Sequence, residues 1–263
     1  MLTSTQNTRV KETRLLQSQR KLRSEKKMFV LEGVRLVQDA FQQKADLAWV
    51  FVTPDCYDAH PTLLHALSKV TDLHVASAEV LASCSDTQQP QGIVAVTRWQ
   101  LFPVPRPLKF ALILDDVRDP GNMGTILRTA AAADVQAVWV SSQSVDVYSP
   151  KVVRAAMGAH FRLPIFTRTW AEIAQDVRDL QVWSASAHGE VVYHQVDWQQ
   201  PSALLVSNEA HGLSHAAQNL PQRTVRIPMA NQTESLNVSS ATAVLLMEAA
   251  RQRAVHGYTA GGG

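Results

Sequence analysis

Three polar groups of residues, each set directly after an apolar run, hold the side chains best suited to chemistry. The first runs from Asp115 to Gly124, follows Phe110-Ala111-Leu112-Ile113-Leu114 and opens a helix that carries Arg128. Asp119-Pro120-Gly121-Asn122 is turn chemistry, and Asn122 suits a helix N-cap. Arg128 sits in Ile126-Leu127-Arg128-Thr129-Ala130, and an arginine among small and apolar residues needs an anionic partner. The second group, Ser207-Asn208-Glu209-Ala210-His211-Gly212-Leu213-Ser214, follows Leu204-Leu205-Val206. Glu209, at the end of that strand run, either caps the next helix or binds amines of a partner. The third, residues 230–237, is rich in hydrogen-bonding groups and has Glu234 as its one charge. It joins a β-like run, 224–227, stopped by Pro228, to an apolar helix. A strand, a polar loop and a helix N-terminus in that order offer backbone N–H groups to a ligand, although an ordinary βα connection reads the same way.

The elements that must position these groups alternate. In the second half, strands are expected at 110–114, 135–140, 163–166, 182–186, 203–206 and 224–227, with helices near 123–133, 151–158, 171–180, 213–219 and 237–254. Continuous Val/Ile/Leu strands between helices predict a mostly parallel sheet covered on both faces, with ligands outside the carboxyl ends of its strands. The first half reads as a smaller α/β unit: a helix at 8–27, strands at 28–31, 47–52, 73–76 and 92–98, and helices near 34–41, 62–70 and 78–82. Gln100 to Leu108 holds Pro103, Pro105 and Pro107, a stiff stretch that continues neither sheet nor helix. The expected partition is therefore a domain at 1–100, a linker at 101–108, a domain at 109–258 and a flexible glycine-ended tail at 259–263.

At 263 residues, 46% hydrophobic and 18% charged, the composition is that of a soluble globular protein with a sizeable core. No apolar run approaches the roughly 18 residues of a membrane span, and the polar, basic start has no signal-peptide core. Cys56 and Cys84 lack metal-ligand spacing and read as reduced structural thiols of a cytoplasmic protein; no metal is expected. Net charge is only +2, yet residues 1–27 carry Arg9, Lys11, Arg14, Arg20, Lys21, Arg23, Lys26 and Lys27 against Glu12 and Glu25. Cation concentrated at one end points to a polyanion that touches it. Neither a GxGxxG turn in a clean βαβ frame nor a GxxxxGK[ST] loop is present, which argues against ordinary dinucleotide and P-loop sites.

The stretch from Asp119 to Ala130 resembles motif 1 of the SpoU (TrmH) family of RNA ribose 2′-O-methyltransferases. Residues 207–214 resemble its motif 2, and Ile227-Pro228-Met229 with Ser235-Leu236-Asn237-Val238-Ser239 resemble motif 3. Residues 151–166 and the amino-terminal part, through Asn7, Lys11, Phe29, Glu32-Gly33-Val34-Arg35 and Pro90-Gln91-Gly92-Ile93, are also similar to the family; the latter resembles the L30e-like substrate-binding domain of its rRNA-modifying members. The resemblance covers nearly the whole chain.

It implies an α/β catalytic domain with a deep trefoil knot, a rare exception to the usual rules of chain connection. It further implies S-adenosylmethionine as cofactor, held at Ser207, Ile227 and Leu236 with Glu209, Met229 and Val238 nearby. The family usually has glycine at the position of Ser207, so the resemblance predicts weakened rather than abolished binding there, and it has glycine where Asp134 follows the motif 1 helix. The implied reaction is methyl transfer to a ribose 2′-hydroxyl, with Arg128 central and Asn122, Glu209, Ser235 and Asn237 around it. An arginine is a poor literal base, so Arg128 is expected to orient the target phosphate and stabilise the developing oxyanion. The implied partners are a second copy of the chain, packed through the knotted domain, and structured RNA, with large-subunit (23S) rRNA favoured over tRNA. Phosphate contacts are expected from Arg9, Lys11, Arg14, Arg20, Lys21 and Arg23, and further RNA contacts from Asn7, Arg35 and Arg154.

Overall fold

The computed structural model describes residues 1–208 and 212–254. The first half runs α1 (Thr8–Ser18), α2 (Arg20–Lys26), β1 (Met28–Glu32), α3 (Val34–Gln42), β2 (Leu47–Val52), α4 (Pro54–Ala59), α5 (Pro61–Leu67), β3 (Asp72–Val75), α6 (Ala78–Cys84) and β4 (Ile93–Arg98). The second runs β5 (Phe110–Asp115), α7 (Pro120–Ala132), β6 (Ala137–Ser141), α8 (Pro150–Ala156), β7 (Ile165–Arg168), α9 (Trp170–Asp176), β8 (Gln181–Ala185), β9 (Val191–Val192), β10 (Ser202–Ser207), α10 (His215–Gln218), β11 (Gln222–Arg226) and α11 (Val238–Ala254). Two compact units result, one of Met1–Leu101 with Asp146–Arg162 and one of Phe102–Val145 with the chain from Leu163 onward. Among the described residues no helix is long and apolar enough to cross a membrane.

The first unit holds a four-stranded sheet in the order β1-β4-β2-β3, antiparallel except between β2 and β3. Both faces are covered, which is why β1, β2 and β4 read as nearly unbroken apolar runs. One face packs Phe29, Leu31, Val50 and Val52 with Val153 and Phe161. Residues 146–162, grouped by sequence with the second domain, thus supply core side chains to the first unit. His160 in this segment is wholly buried, its Nε2–H donating to the Val147 carbonyl at 2.7 Å, and desolvation holds its pKa down at about 4. The other face packs Val10 and Leu16 of α1 against Trp49, Phe51, Val94 and Val96.

The single helix expected at 8–27 is two helices, with Gln19 extended (φ −113°, ψ 107°) between them. Neither proline nor glycine marks the break. Its cause is Arg23, only 4% exposed, whose Nη1 donates to the Leu16 and Gln17 carbonyls at 2.6 and 3.0 Å and so caps α1. Asp146 neutralises the guanidinium at 2.7 Å. The sequence also missed α4, which Thr53 caps and Pro54 starts, and the two-residue strand β9.

The second unit is built on a seven-stranded sheet in the order β7-β6-β5-β10-β8-β11-β9, and every neighbouring pair is parallel. From β5 the chain moves to β6 and β7 on one side, then returns through β8 and β10 on the other. The reversal sets the carboxyl ends of β5 and β10 side by side, with Ser207 opposite Asp115. Helix α7 packs against α11. Asp119, rather than Asn122, caps α7, accepting from the Asn122 N–H at 2.7 Å; Pro120 at the first helical position moves the start upstream. Asp134, just past α7, adopts φ 55°, the left-handed geometry that glycine takes without strain.

Candidate functional site

The ends of β8, β10 and β11 and the loop before α11 enclose a cavity of about 440 Å³. This lies within the range of small-molecule and cofactor pockets. Ser207 and Asn208 line it from β10, Ser184 to Ala187 from β8, and Thr224, Val225, Ile227 and Met229 from β11 and its exit. Glu234, Ser235, Leu236 and Val238 close the remaining side. Ile227, Met229 and Leu236 are only half-buried, so their apolar surface faces the cavity without a protein partner to cover it. A flat apolar ring edged with polar groups fits such walls.

Five of the six expected cofactor contacts, Ser207, Ile227, Met229, Leu236 and Val238, therefore share one cavity. The sixth, Glu209, lies outside the described residues. Ser207 is the last residue of β10 and has no left-handed backbone, so its Cβ adds bulk without strain. The loop turns through Asn231 (φ 52°) and Gln232 (φ 59°), closed by the Thr233 N–H on the Ala230 carbonyl at 3.1 Å.

Ser235 lines the cavity, and beyond it the starts of α7 and α11 meet. Asn237 Nδ2 donates to Asn122 Oδ1 at 3.1 Å, while Asn237 Oδ1 accepts from the Ser239 N–H at 3.0 Å. Two helix N-termini thus converge, and their dipoles favour an anion or a developing negative charge. Arg128 lies six residues further along α7 than Asn122, exposed and without an ion-pair partner among the described residues. By helix geometry it is about 9 Å on and roughly 120° around, so it does not share the face of Asn122. The structure joins Asn122 to Asn237, two residues after the cavity-lining Ser235, and sets Arg128 on a different face of α7 from Asn122.

Sequence reading missed Asp115. It ends the fully buried strand β5 and is 1% exposed. Its Oδ2 accepts from the Ser214 N–H at 2.7 Å and its Oδ1 from the Ser214 hydroxyl at 3.0 Å. Burial pushes its pKa up, opposed by those two donors. The available signal was a carboxylate ending an otherwise apolar strand, a place where donors must be waiting.

The expected RNA contacts fall in the first unit. Lys11, Arg14, Arg20, Lys21 and Arg35 are exposed. Asn7 is occupied as the cap of α1, accepting from the Arg9 N–H at 2.9 Å. Arg9 pairs with Asp72 and lies over the Trp49 ring at 5.7 Å. Arg154 bridges Asp86 at 2.8 Å and Glu32 at 3.6 Å, and Arg23 is the buried cap of α1. Burial keeps both thiols protonated, with Cys84 pushed up to about 11, and both are free.

Comparison with known proteins matches residues 109–247 to the SpoU rRNA Methylase family and residues 7–95 to an MRM3-like substrate binding domain. The chain is 35% identical to an uncharacterised tRNA/rRNA methyltransferase of Synechocystis, over 96% of this chain and 94% of that protein. It is 27% identical to the 23S rRNA (guanosine(2553)-2′-O)-methyltransferase RlmP of Bacillus subtilis, over 92% and 96%. Among solved structures, the SpoU methyltransferase AviRb of Streptomyces viridochromogenes, in complex with AdoMet, superposes with a TM-score of 0.85 at 28% identity, covering 96% of this chain and all of that one.

Proposed function

Because the chain belongs to the SpoU rRNA methylase family, we propose that the cavity at the ends of β8, β10 and β11 binds S-adenosylmethionine and that Asn122, Ser235 and Asn237 border the reacting hydroxyl. The chain is an RNA 2′-O-ribose methyltransferase. The observation that carries the site assignment is the adjacency of an apolar-walled cavity to two converging helix starts. Ile227, Met229 and Leu236 fit the residues an adenine needs, apolar walls beside backbone donors. When bound, the cofactor supplies an electrophilic methyl group.

The residues of the chain supply position and charge. A ribose 2′-hydroxyl is a weak acid, so its oxygen must be stabilised as it gains alkoxide character. The N-termini of α7 and α11, joined through Asn237 and Asn122, favour that charge, and Ser235 offers a hydroxyl at the cavity's edge. Glu209 lies in sequence between Asn208 and Gly212, both of which line the cavity, and is proposed to complete it. The role of Arg128 is to bind the phosphate beside the target ribose.

The placement of Arg128 on a different face of α7 from Asn122 supports completion of each site by a second copy of the chain. A homodimer joined through a knotted catalytic domain would provide this, and Met247, 51% exposed on α11, is apolar surface that such a contact would cover. The exposed bases Lys11, Arg14, Arg20, Lys21 and Arg35 are proposed to hold RNA phosphates. Large-subunit rRNA is the substrate we favour, on the names of the relatives. Buried, free thiols suit a reducing compartment such as the cytoplasm. Mapping ribose 2′-O-methyl groups in total RNA from a deletion strain tests the reading: one methyl in 23S rRNA should vanish and return on complementation. A complete, unchanged map would refute it.

A further inference from the structure

Asn208 and Ser214, on either side of residues 209–211 in the sequence, are both held by the end of β5 and the residue after it. The Asn208 N–H donates to the Asp115 carbonyl at 3.2 Å, and Asn208 Nδ2 lies 3.4 Å from the Asp116 carbonyl. Ser214 gives both its N–H and its hydroxyl to the buried Asp115 carboxylate. The Gly212 N–H donates to the Asn208 carbonyl at 3.0 Å. Four cavity-lining residues, Ser207, Asn208, Gly212 and Leu213, lie between or beside these anchors.

The anchor is itself anchored. The Asp116 N–H donates to Ser141 Oγ at 3.0 Å and the Val117 N–H to Ser144 Oγ at 3.2 Å, so the end of β5 is tied to the end of β6. Asp116 adopts φ 54° and directs its own carboxylate away, to the exposed Arg118. Only Asp115 turns inward. A buried carboxylate is costly unless its oxygens are met, and both of its oxygens are met by Ser214. That arrangement stabilises one position of Ser214 above others.

We propose that Asp115 is a positioning residue of the methyl-donor pocket, holding Ser214 so that the wall residues Ser207, Asn208, Gly212 and Leu213 stand at the width the cofactor needs. The proposal rests on the reading of the cavity as the S-adenosylmethionine site. It assigns Asp115 no contact with cofactor or RNA.

The test uses the full chain in its native oligomeric state, with S-adenosylmethionine as the calorimetric probe. Four proteins are compared: the natural chain, Asp115→Asn, Ser214→Ala and the double variant. Asp115→Asn keeps the volume but leaves an amide facing one of the two Ser214 donors. Losing one charge-assisted hydrogen bond predicts a Kd raised about tenfold. Ser214→Ala removes the hydroxyl donor and the cap it gives the Ala217 N–H but keeps the Ser214 N–H, so it should raise Kd less. The double variant should fall short of the sum of the single effects, because both substitutions break the hydroxyl–carboxylate link. Hydrogen exchange of the peptide 207–214 should quicken in Asp115→Asn, while exchange in β5 and β10 stays slow. A merely structural carboxylate would loosen the whole sheet alike.

A folded Asp115→Asn protein with Kd within twofold of the natural chain overturns the proposal, and so do effects that add in full. Should Asp115→Asn not fold, Ser214→Ala decides: an unchanged Kd overturns the proposal, and a raised Kd with quickened 207–214 exchange supports it. Failure of the natural chain to bind S-adenosylmethionine is a separate result, which sinks the cavity assignment itself.

Discussion

Arg128 is a residue whose side chain the fold leaves without an ion-pair partner among the described residues. It projects into solvent from α7, with its charge unanswered among the described residues, while Asn122 on the same helix is already bonded to Asn237. A guanidinium so placed is available for a bidentate grip on phosphate, which the compact ammonium of lysine cannot reproduce. Arg128→Lys is therefore expected to lower kcat on RNA by roughly a hundredfold or more, with the Kd for S-adenosylmethionine unchanged. Near-normal turnover in that variant would dismiss the role. At this scale the sequence was informative where chemistry is local. Ser207, Ile227, Met229, Leu236 and Val238 were legible as a set, and they meet in one cavity. Arg23 and Arg154 show the limit. A basic residue on a polar helix reads as surface cation, and only folding reveals that the α1 carbonyls and the carboxylates of Asp146, Asp86 and Glu32 already hold these two.

The decisive elements are α1 and α2, and the two helix starts at the site. Removing residues 1–27 would not isolate RNA affinity, because Val10 and Leu16 are fully buried and Trp49 Nε1 donates to Thr13 Oγ1 at 3.0 Å. Such a truncation strips one face of the first unit's sheet. The informative change is the triple variant Lys11→Ala, Arg14→Ala, Lys21→Ala, which touches only exposed side chains. RNA binding should weaken about tenfold, and the slope of log Kd against log salt should shrink by roughly two to three, while cofactor affinity holds. Equal salt slopes in the variant and the natural chain would count against a phosphate role for α1 and α2. Local capping chemistry can mark an element boundary, as Thr169 with Glu172 does at the start of α9, although the helix expected near 171–180 does not rest on it. Boundaries were not legible where a distant group does the capping, as Arg23 does for α1.

For the whole molecule, the expected outcome is a homodimer. Light scattering coupled to size exclusion should give twice the 29.0 kDa chain mass. A monomer at working concentration that still methylates RNA would remove the need for a second copy. By itself the sequence determined the alternation of strands and helices, the proline-rich stretch at 101–108, the family, and Ser207, Ile227, Met229, Ser235, Leu236 and Val238 among the residues that line the cavity. These rest on periodicity, turn chemistry and short motifs, all of which act within a few residues. Only the tertiary structure decided that residues 146–162 complete the core of the first unit, that Asn122 meets Asn237, and that the buried Asp115 carboxylate accepts from Ser214. Each of these joins groups far apart in the chain. The hydrogen bonds and buried contacts that select them depend on which strand ends lie side by side, and that choice is made by the sheet order and not by any local stretch of sequence.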